Sequence, residues 1–239
     1  MSFMYSTDGR SRWPWVIGAL VLAVLIAAAI VWGTSRSAGG KPTASGTPTA
    51  TSTPTPTDTT DSGASDGEAG AAPTGCLGGP NYDAASVLTA QKDAPNTDFG
   101  AVEVAAAFDR FTAQYPYPST SAQQEVSAAL RSSSSPSSYW EPYTEQSVGN
   151  NPTQGTLPAG THFTVSTVNG LWRVQDGGNG ELIVDMAAGY VVNGSLSPTK
   201  GNVSGFYMKW EKGAWRIVEG HNVDQNSLAA GGTHFTAGC

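Results

Sequence analysis

The spacing of hydrophobic positions changes character along the chain. From Trp13 to Gly33, "WPWVIGALVLAVLIAAAIVWG", it is unbroken, and no residue between Val16 and Val31 is charged or strongly polar. At a rise of about 1.5 Å per residue, about 20 such residues cover the ~30 Å hydrocarbon core of a bilayer. Trp13 and Trp15 stand at one end and Trp32 at the other, where amphipathic rings favour the membrane interface. The pattern predicts a transmembrane helix over 13–33 behind a short cytoplasmic tail, 1–12. A cleaved leader is the alternative, kept open by the alanines at 27–29. Against it, the run exceeds the usual ~7–15-residue leader core, and no well-flanked cleavage site follows.

Over residues 34–75 the pattern disappears. The segment is built mainly from Ser, Thr, Pro, Gly and Ala with a few charged residues, and has no aromatic or branched aliphatic residue. Such a sequence has nothing to bury against its ordering entropy. Its repeated Thr-Pro pairs favour extended backbone, with a reach of about 130 Å. It reads as a disordered stalk.

From Cys76 the hydrophobic positions return, first with a helical period. Val104, Phe108, Phe111 and Tyr115 fall at i, i+4, i+7 and i+11, one face of an amphipathic helix. Thr97 or Asp98 is placed to cap it and Pro116 to end it. "STSAQQEVSAALRSSSSP" predicts a second helix, with Ser121 and Gln124 at capping-box spacing, broken by the serines at 132–135 and Pro136. "SSYWEPYTEQ" predicts a short further turn.

Beyond about residue 161 the period becomes two. "THFTVSTV" and "LWRVQD" flank Asn169-Gly170, a strong hairpin signal. "GGNG" turns again into "ELIVDMAAGYVVNG", a long strand expected to bulge near Ala187–Gly189. "NVSGFYMKW" and "AWRIVEG" close the series. Helices followed by about five antiparallel strands predict an α+β domain over 76–239.

The last hairpin can be read in register. A turn at Lys212-Gly213 sets Trp210 opposite Trp215 and Met208 opposite Ile217. Phe206, Met208, Trp210, Trp215 and Ile217 then share a core face. Tyr207, Lys209, Glu211, Arg216 and Val218 share the other, and Lys209 opposite Arg216 calls for Glu211 or another carboxylate nearby. Tyr207, Lys209 and Arg216 are the candidate contact face.

Charge sharpens the picture only by exclusion. A net charge of -7 argues against nucleic-acid binding, which needs phosphates neutralised. Around the span the basic residues tie, Arg10 and Arg12 against Arg36 and Lys41, so they do not orient it. The tail, the stalk and a disulfide-competent distal domain orient it instead: N-terminus inside, C-terminal domain outside. Cys76 and Cys239, the two cysteines, bracket the distal domain and suit an intramolecular bridge. Free thiols or an intermolecular bridge are the alternatives.

No metal spacing links His162, His221 and His234, and no zincin, P-loop, dinucleotide-binding or nucleophile-elbow motif occurs. We therefore expect no catalytic residues, no metal and no cofactor. Asn193-Gly-Ser and Asn202-Val-Ser fit the glycosylation triplet and read as exposed turns.

The helix-first order with "WEKGAWRIV" resembles the nuclear transport factor 2-like fold, a curved sheet wrapped around helices as a cone. The layout of tail, span, stalk and outer domain is similar to the bitopic scaffold subunits of conjugation and type IV secretion machines. The resemblance implies a non-enzymatic bacterial envelope domain that assembles with other envelope proteins, or else a binding module holding an envelope ligand or small hydrophobic molecule in the cone. Enzymes of that fold place an Asp and a Tyr in the cone, and Asp185 and Tyr207 are the candidates by strand position for an isomerase or hydrolase.

Overall fold

Thr97 does cap a helix, and around that helix the rest of the domain is arranged. The structure is a computed structural model that describes residues 71–239. The expected membrane span and most of the expected stalk lie outside the described residues. Among the described residues no helix is long and apolar enough to cross a membrane.

Helix α1 covers Ala84–Asp93, α2 Asp98–Thr112 and α3 Thr120–Leu130. A 3-10 turn, Ser137–Trp140, and the short α4, Glu145–Val148, follow. Each of the first three starts on a side-chain cap, which satisfies an amide the helix cannot pair itself. Asp83 accepts from Ser86 N, Thr97 from Gly100 N, and Ser119 from Ala122 N. The cap of α3 is thus Ser119 rather than Ser121. Helix α2 is apolar nearly all round: Ala101, Val102, Val104, Ala105 and Ala106 have no exposed surface. That pattern belongs to a helix covered on every side.

The strands β1 (Thr164–Gly178), β2 (Glu181–Val192), β3 (Ser195–Glu211) and β4 (Ala214–His221) form a meander. Helix α5 (Gln225–Gly231) and the two-residue β5 (Thr233–His234) follow. The open antiparallel sheet has the order β4-β3-β2-β1-β5. Five strands were expected, but they are not the same five. Asn169-Gly170 does not turn the chain: Ser166 pairs with Gly189 and Leu171 with Ala187, so β1 runs on past an outward bulge at 167–170. A type I′ hairpin needs left-handed backbone at both central residues, and only Asn169 has it. The C-terminus takes up the bulge's freed groups. Thr167 N donates to Cys239 O at 3.0 Å, and Phe235 N donates to Gly170 O at 3.2 Å. The real turns lie at 178–180, Asn193-Gly194 and Lys212-Gly213, all left-handed.

Alternation sorts the sheet into two faces. Trp172, Val184, Met186, Phe206, Met208, Trp215 and Ile217 face the helices in one core. Tyr115, Leu157, Phe163, Val165, Ala188 and Tyr190 form a second, smaller cluster. The opposite face is crossed by the chain after β4, which carries Leu228, 2% exposed, over to the β1 side.

The predicted register of the last hairpin holds from Glu211↔Ala214 to Met208↔Ile217. A bulge at Val218 then shifts the partners, so Tyr207 meets Glu219 and Phe206 meets Gly220. The bulge buries Val218, which the sequence register sets on the face opposite the core. The free edge of β4 is covered by the loop after α3, where Ser132 N donates to Ile217 O at 3.0 Å and Ser135 Oγ donates to Val218 O. Covering an edge removes a template for strand pairing with other chains.

Candidate functional site

Helix α2 carries one carboxylate that breaks its apolar pattern on the sheet side. Asp109 is 2% exposed. Its Oδ1 accepts from Asn202 Nδ2 at 2.8 Å and from Ser204 Oγ at 2.7 Å. Both donors stand on β3 at inward-facing positions, continuing the row of Phe206 and Met208. Oδ2 has no partner among the described residues. Burial pushes the Asp109 carboxyl up to about 6, against the opposing pull of Ser204, Asn202 and the neighbouring Arg110 charge.

Three phenols feel this carboxyl's charge. Burial, and then the Asp109 charge, pushes Tyr190 up to about 12. Tyr139 and Tyr143 are raised further, mainly by burial, with Asp109 again contributing. All three stay neutral donors. The segment carrying Tyr139, Trp140 and Tyr143 is pinned by Gln123, whose Nε2 donates to Tyr143 O at 2.9 Å and whose Oε1 accepts from Tyr143 N at 3.0 Å. Trp140 packs on Phe108 at 5.6 Å, and Phe108 meets Phe206 edge-on at 5.5 Å. Tyr139, Trp140, Tyr143, Asn202 and Ser204 remain partly exposed. The arrangement is a buried carboxyl with one unbonded oxygen, on a helix against which a partly exposed aromatic segment packs.

Asp185 and Tyr207, the sequence candidates for cone chemistry, face the other way. Arg173, Asp185, Gly205 and His221 are consecutive cross-strand partners on the face away from the helices. Asp185 is fully buried there, not solvated as an outer-face aspartate usually is. Its Oδ2 accepts from Arg173 at 2.8 Å and Gln175 at 3.0 Å, and its Oδ1 meets His221 Nδ1 at 2.8 Å. Gly205 has no side chain, so the imidazole reaches over it to the carboxylate. Three side chains thus engage this carboxylate on the face of the sheet away from the helices.

The three contact-face residues each have a partner within the fold. Tyr207 meets His221 edge-on at 5.4 Å. Lys209 pairs with Glu181 at 3.5 Å, the carboxylate that like charges opposite one another required. Arg216 donates to the Ala129 and Arg131 carbonyls at the end of α3. Glu211 turns to the loop after α3 and accepts from Ser132 and Ser133. Asn202 is not an exposed turn but the strand residue that holds Asp109. The histidines stay apart: His162 packs on Tyr115, His221 on Asp185, and His234 lies by Gly170. Among the described residues no group of three potential ligands could hold a metal ion.

Cys76 and Cys239 are disulfide-bonded, 163 positions apart, with Cα atoms 5.6 Å from each other. Helix α2 organises their surroundings. Glu103 accepts from Thr74 N, Gly75 N and Leu77 N. Arg110, 1% exposed, donates to the carbonyls of Gly75, Gly79 and Asn81. The chain is already fixed at Ala72 and Pro73, whose carbonyls accept from Thr236. Residues 72–75, assigned from composition to the stalk, are thus bonded into the fold.

Asp109 escaped sequence reading although a signal was present. An aspartate follows Ala105 and Ala106 on a helix of buried residues, and the inward row of β3 turns polar at Asn202 and Ser204. Only the pairing of α2 with β3 joins the two anomalies. No protein-family model, curated protein or solved structure matches this chain.

Proposed function

We propose that the domain is an extracytoplasmic binding module that takes a small amphiphilic molecule at Asp109, tethered to a bacterial membrane by the apolar segment ahead of it. The observation that carries this reading is the buried carboxyl with one oxygen unbonded among the described residues, next to Phe108, on which Trp140 packs. Buried polar groups are ordinarily satisfied, and ligand sites combine apolar walls with a few convergent polar groups. A hydroxyl or amine on the ligand would donate to Oδ2 while its apolar body lies against Tyr139, Trp140 and Tyr143. The helices-then-sheet order supports the nuclear transport factor 2-like resemblance as the setting of such a site. A role in assembly with other envelope proteins draws less support from the geometry, because Tyr207, Lys209 and Arg216 are engaged internally.

A thermal-shift screen of aromatic alcohols and amines on the full chain in detergent tests the reading. Stabilising compounds are expected for the wild type, with the shift lost in Asp109→Leu. Compounds that stabilise Asp109→Leu equally, or a screen without hits, would remove the site.

A further inference from the structure

The disulfide is electrically asymmetric. Arg110 Nη1 lies 2.8 Å from Cys239 Sγ and also donates to Gly75 O at 3.0 Å. Among the described residues no cation meets Cys76 Sγ. The guanidinium is held in place from several sides: its Nη2 donates to Gly79 O and Asn81 O, each at 2.7 Å, and its plane lies over Tyr82 at 5.6 Å. It is therefore a fixed charge, not a mobile surface arginine that happens to touch sulfur.

A neighbouring cation stabilises a thiolate far more than a disulfide sulfur, and thiols beside Arg are acidified. In thiol–disulfide exchange the more acidic thiol is the better leaving group. We propose that Cys76–Cys239 is an exchangeable disulfide with a fixed direction, in which Cys76 is the attacked sulfur and Cys239 the leaving thiolate held by Arg110. The reductant is a dithiol. Its first thiolate forms a bond to Cys76 Sγ as the Cys76–Cys239 bond breaks, and that electron pair goes to Cys239 Sγ. Its second thiolate then attacks the first sulfur of the dithiol. This releases the dithiol as a cyclic disulfide and leaves Cys76 as a thiolate, which takes a proton from water. The dithiol loses two electrons and the protein disulfide gains two.

The surrounding bonds suit a local reaction. Once the bond opens, Cys239 stays docked, because Thr167 N donates to its carbonyl and its own N donates to Thr167 Oγ1 at 3.0 Å. The incoming chain stays docked as well, through Glu103 and the carbonyl bonds of Arg110. Cys76 and Cys239 are both partly exposed, so the difference between them rests on Arg110. The proposal is independent of ligand binding at Asp109.

Glutathione, a single-thiol probe, traps the first step on the full chain in detergent. After a brief reaction at neutral pH and an acid quench, peptide mass spectrometry locates the adduct. A leaving thiol two pH units more acidic departs roughly tenfold faster, so glutathione is expected on Cys76 about tenfold over Cys239. Equal labelling, or labelling mainly on Cys239, would overturn the assignment. Alkylation rates against pH give a second readout. In Cys76→Ser the remaining Cys239 thiol is expected to titrate below the ordinary ~8.5, while Cys76 in Cys239→Ser is not. A Cys239 thiol no more acidic than Cys76 counts against the proposal. If either variant fails to fold, the adduct ratio in the wild-type chain decides.

Discussion

Asp109 holds its proton more tightly in the folded chain than in the unfolded one, where the ordinary value is 3.8. The folded state therefore gains stability as pH falls from about 6 towards 4, and loses it as pH rises through that window. The difference corresponds to on the order of 3 kcal/mol when the carboxyl is ionised. Urea unfolding of wild type and Asp109→Asn at pH 4.5 and 7.5 reads this directly. The neutral side chain is expected to be more stable than wild type by about 1–3 kcal/mol at pH 7.5 and to show no advantage at pH 4.5. An advantage of equal size at both pH values would mean that ionisation is not what the site resists. A residue that lowers stability in its working protonation state fits a ligand site better than a structural one, since function is where such costs are retained.

At the scale of elements, long strands are bent and closed by features that sequence periodicity conceals. The bulge at 167–170 lets β1 pass the C-terminus without ending, and the bulge at Val218 lets β4 keep contact with the loop after α3. Gly205 is the element-level counterpart of the Asp185 row. A Cβ there would lie 2.8 Å from Val223 Cγ2, 2.9 Å from Asp185 Oδ1 and 2.9 Å from the His221 carbonyl. The backbone oxygen cannot step aside as a flexible side chain could. Gly205→Ala is expected to cost about 1–3 kcal/mol through overpacking and to displace the His221 ring from Asp185. Chemical denaturation and the His221 NMR resonances check both effects. An alanine variant with wild-type stability and an unmoved imidazole would show that the row has room.

At the scale of the whole molecule, α2 acts as the hub. One side of it holds the incoming chain and the C-terminus through Glu103 and Arg110, and another places Asp109 against β3. The disulfide closes nearly the entire domain into one loop. In the chain-entropy view such a bond restricts mainly the unfolded state, by up to about 5 kcal/mol. Because hydrogen bonds from Thr236 and Gly238 to Ala72, Pro73 and Thr74 also fasten the two ends to each other, Cys76→Ser/Cys239→Ser is expected to fold, with a loss of about 2–5 kcal/mol in urea unfolding. An unfolded double variant would mean that these hydrogen bonds depend on the covalent link. Unchanged stability would mean that the unfolded chain already keeps its ends together.

Local chemistry was enough to read α2 with its cap at Thr97 or Asp98, the α+β order, the Gly-Asn-Gly turn and the Trp210–Trp215 register. Each depends on residues a few positions apart, where period, caps and turn residues act directly. The bulge expected at Ala187–Gly189 falls instead on the strands either side of β2. The cysteine pairing was one of several open alternatives until the two chain ends were seen side by side. Helices α1 and α5 carry too few large apolar residues for the helical period to stand out. Tertiary structure alone decided that Asn169-Gly170 bulges instead of turning, because the C-terminus competes for the same backbone groups. It alone turned Asp185 outward into a bonded row and Asp109 inward against β3. Asp109 meets its partners on β3 at separations of 93 and 95 residues, and Asp185 meets its imidazole at 36, distances along the chain over which packing and no local pattern decides what lies opposite a carboxylate.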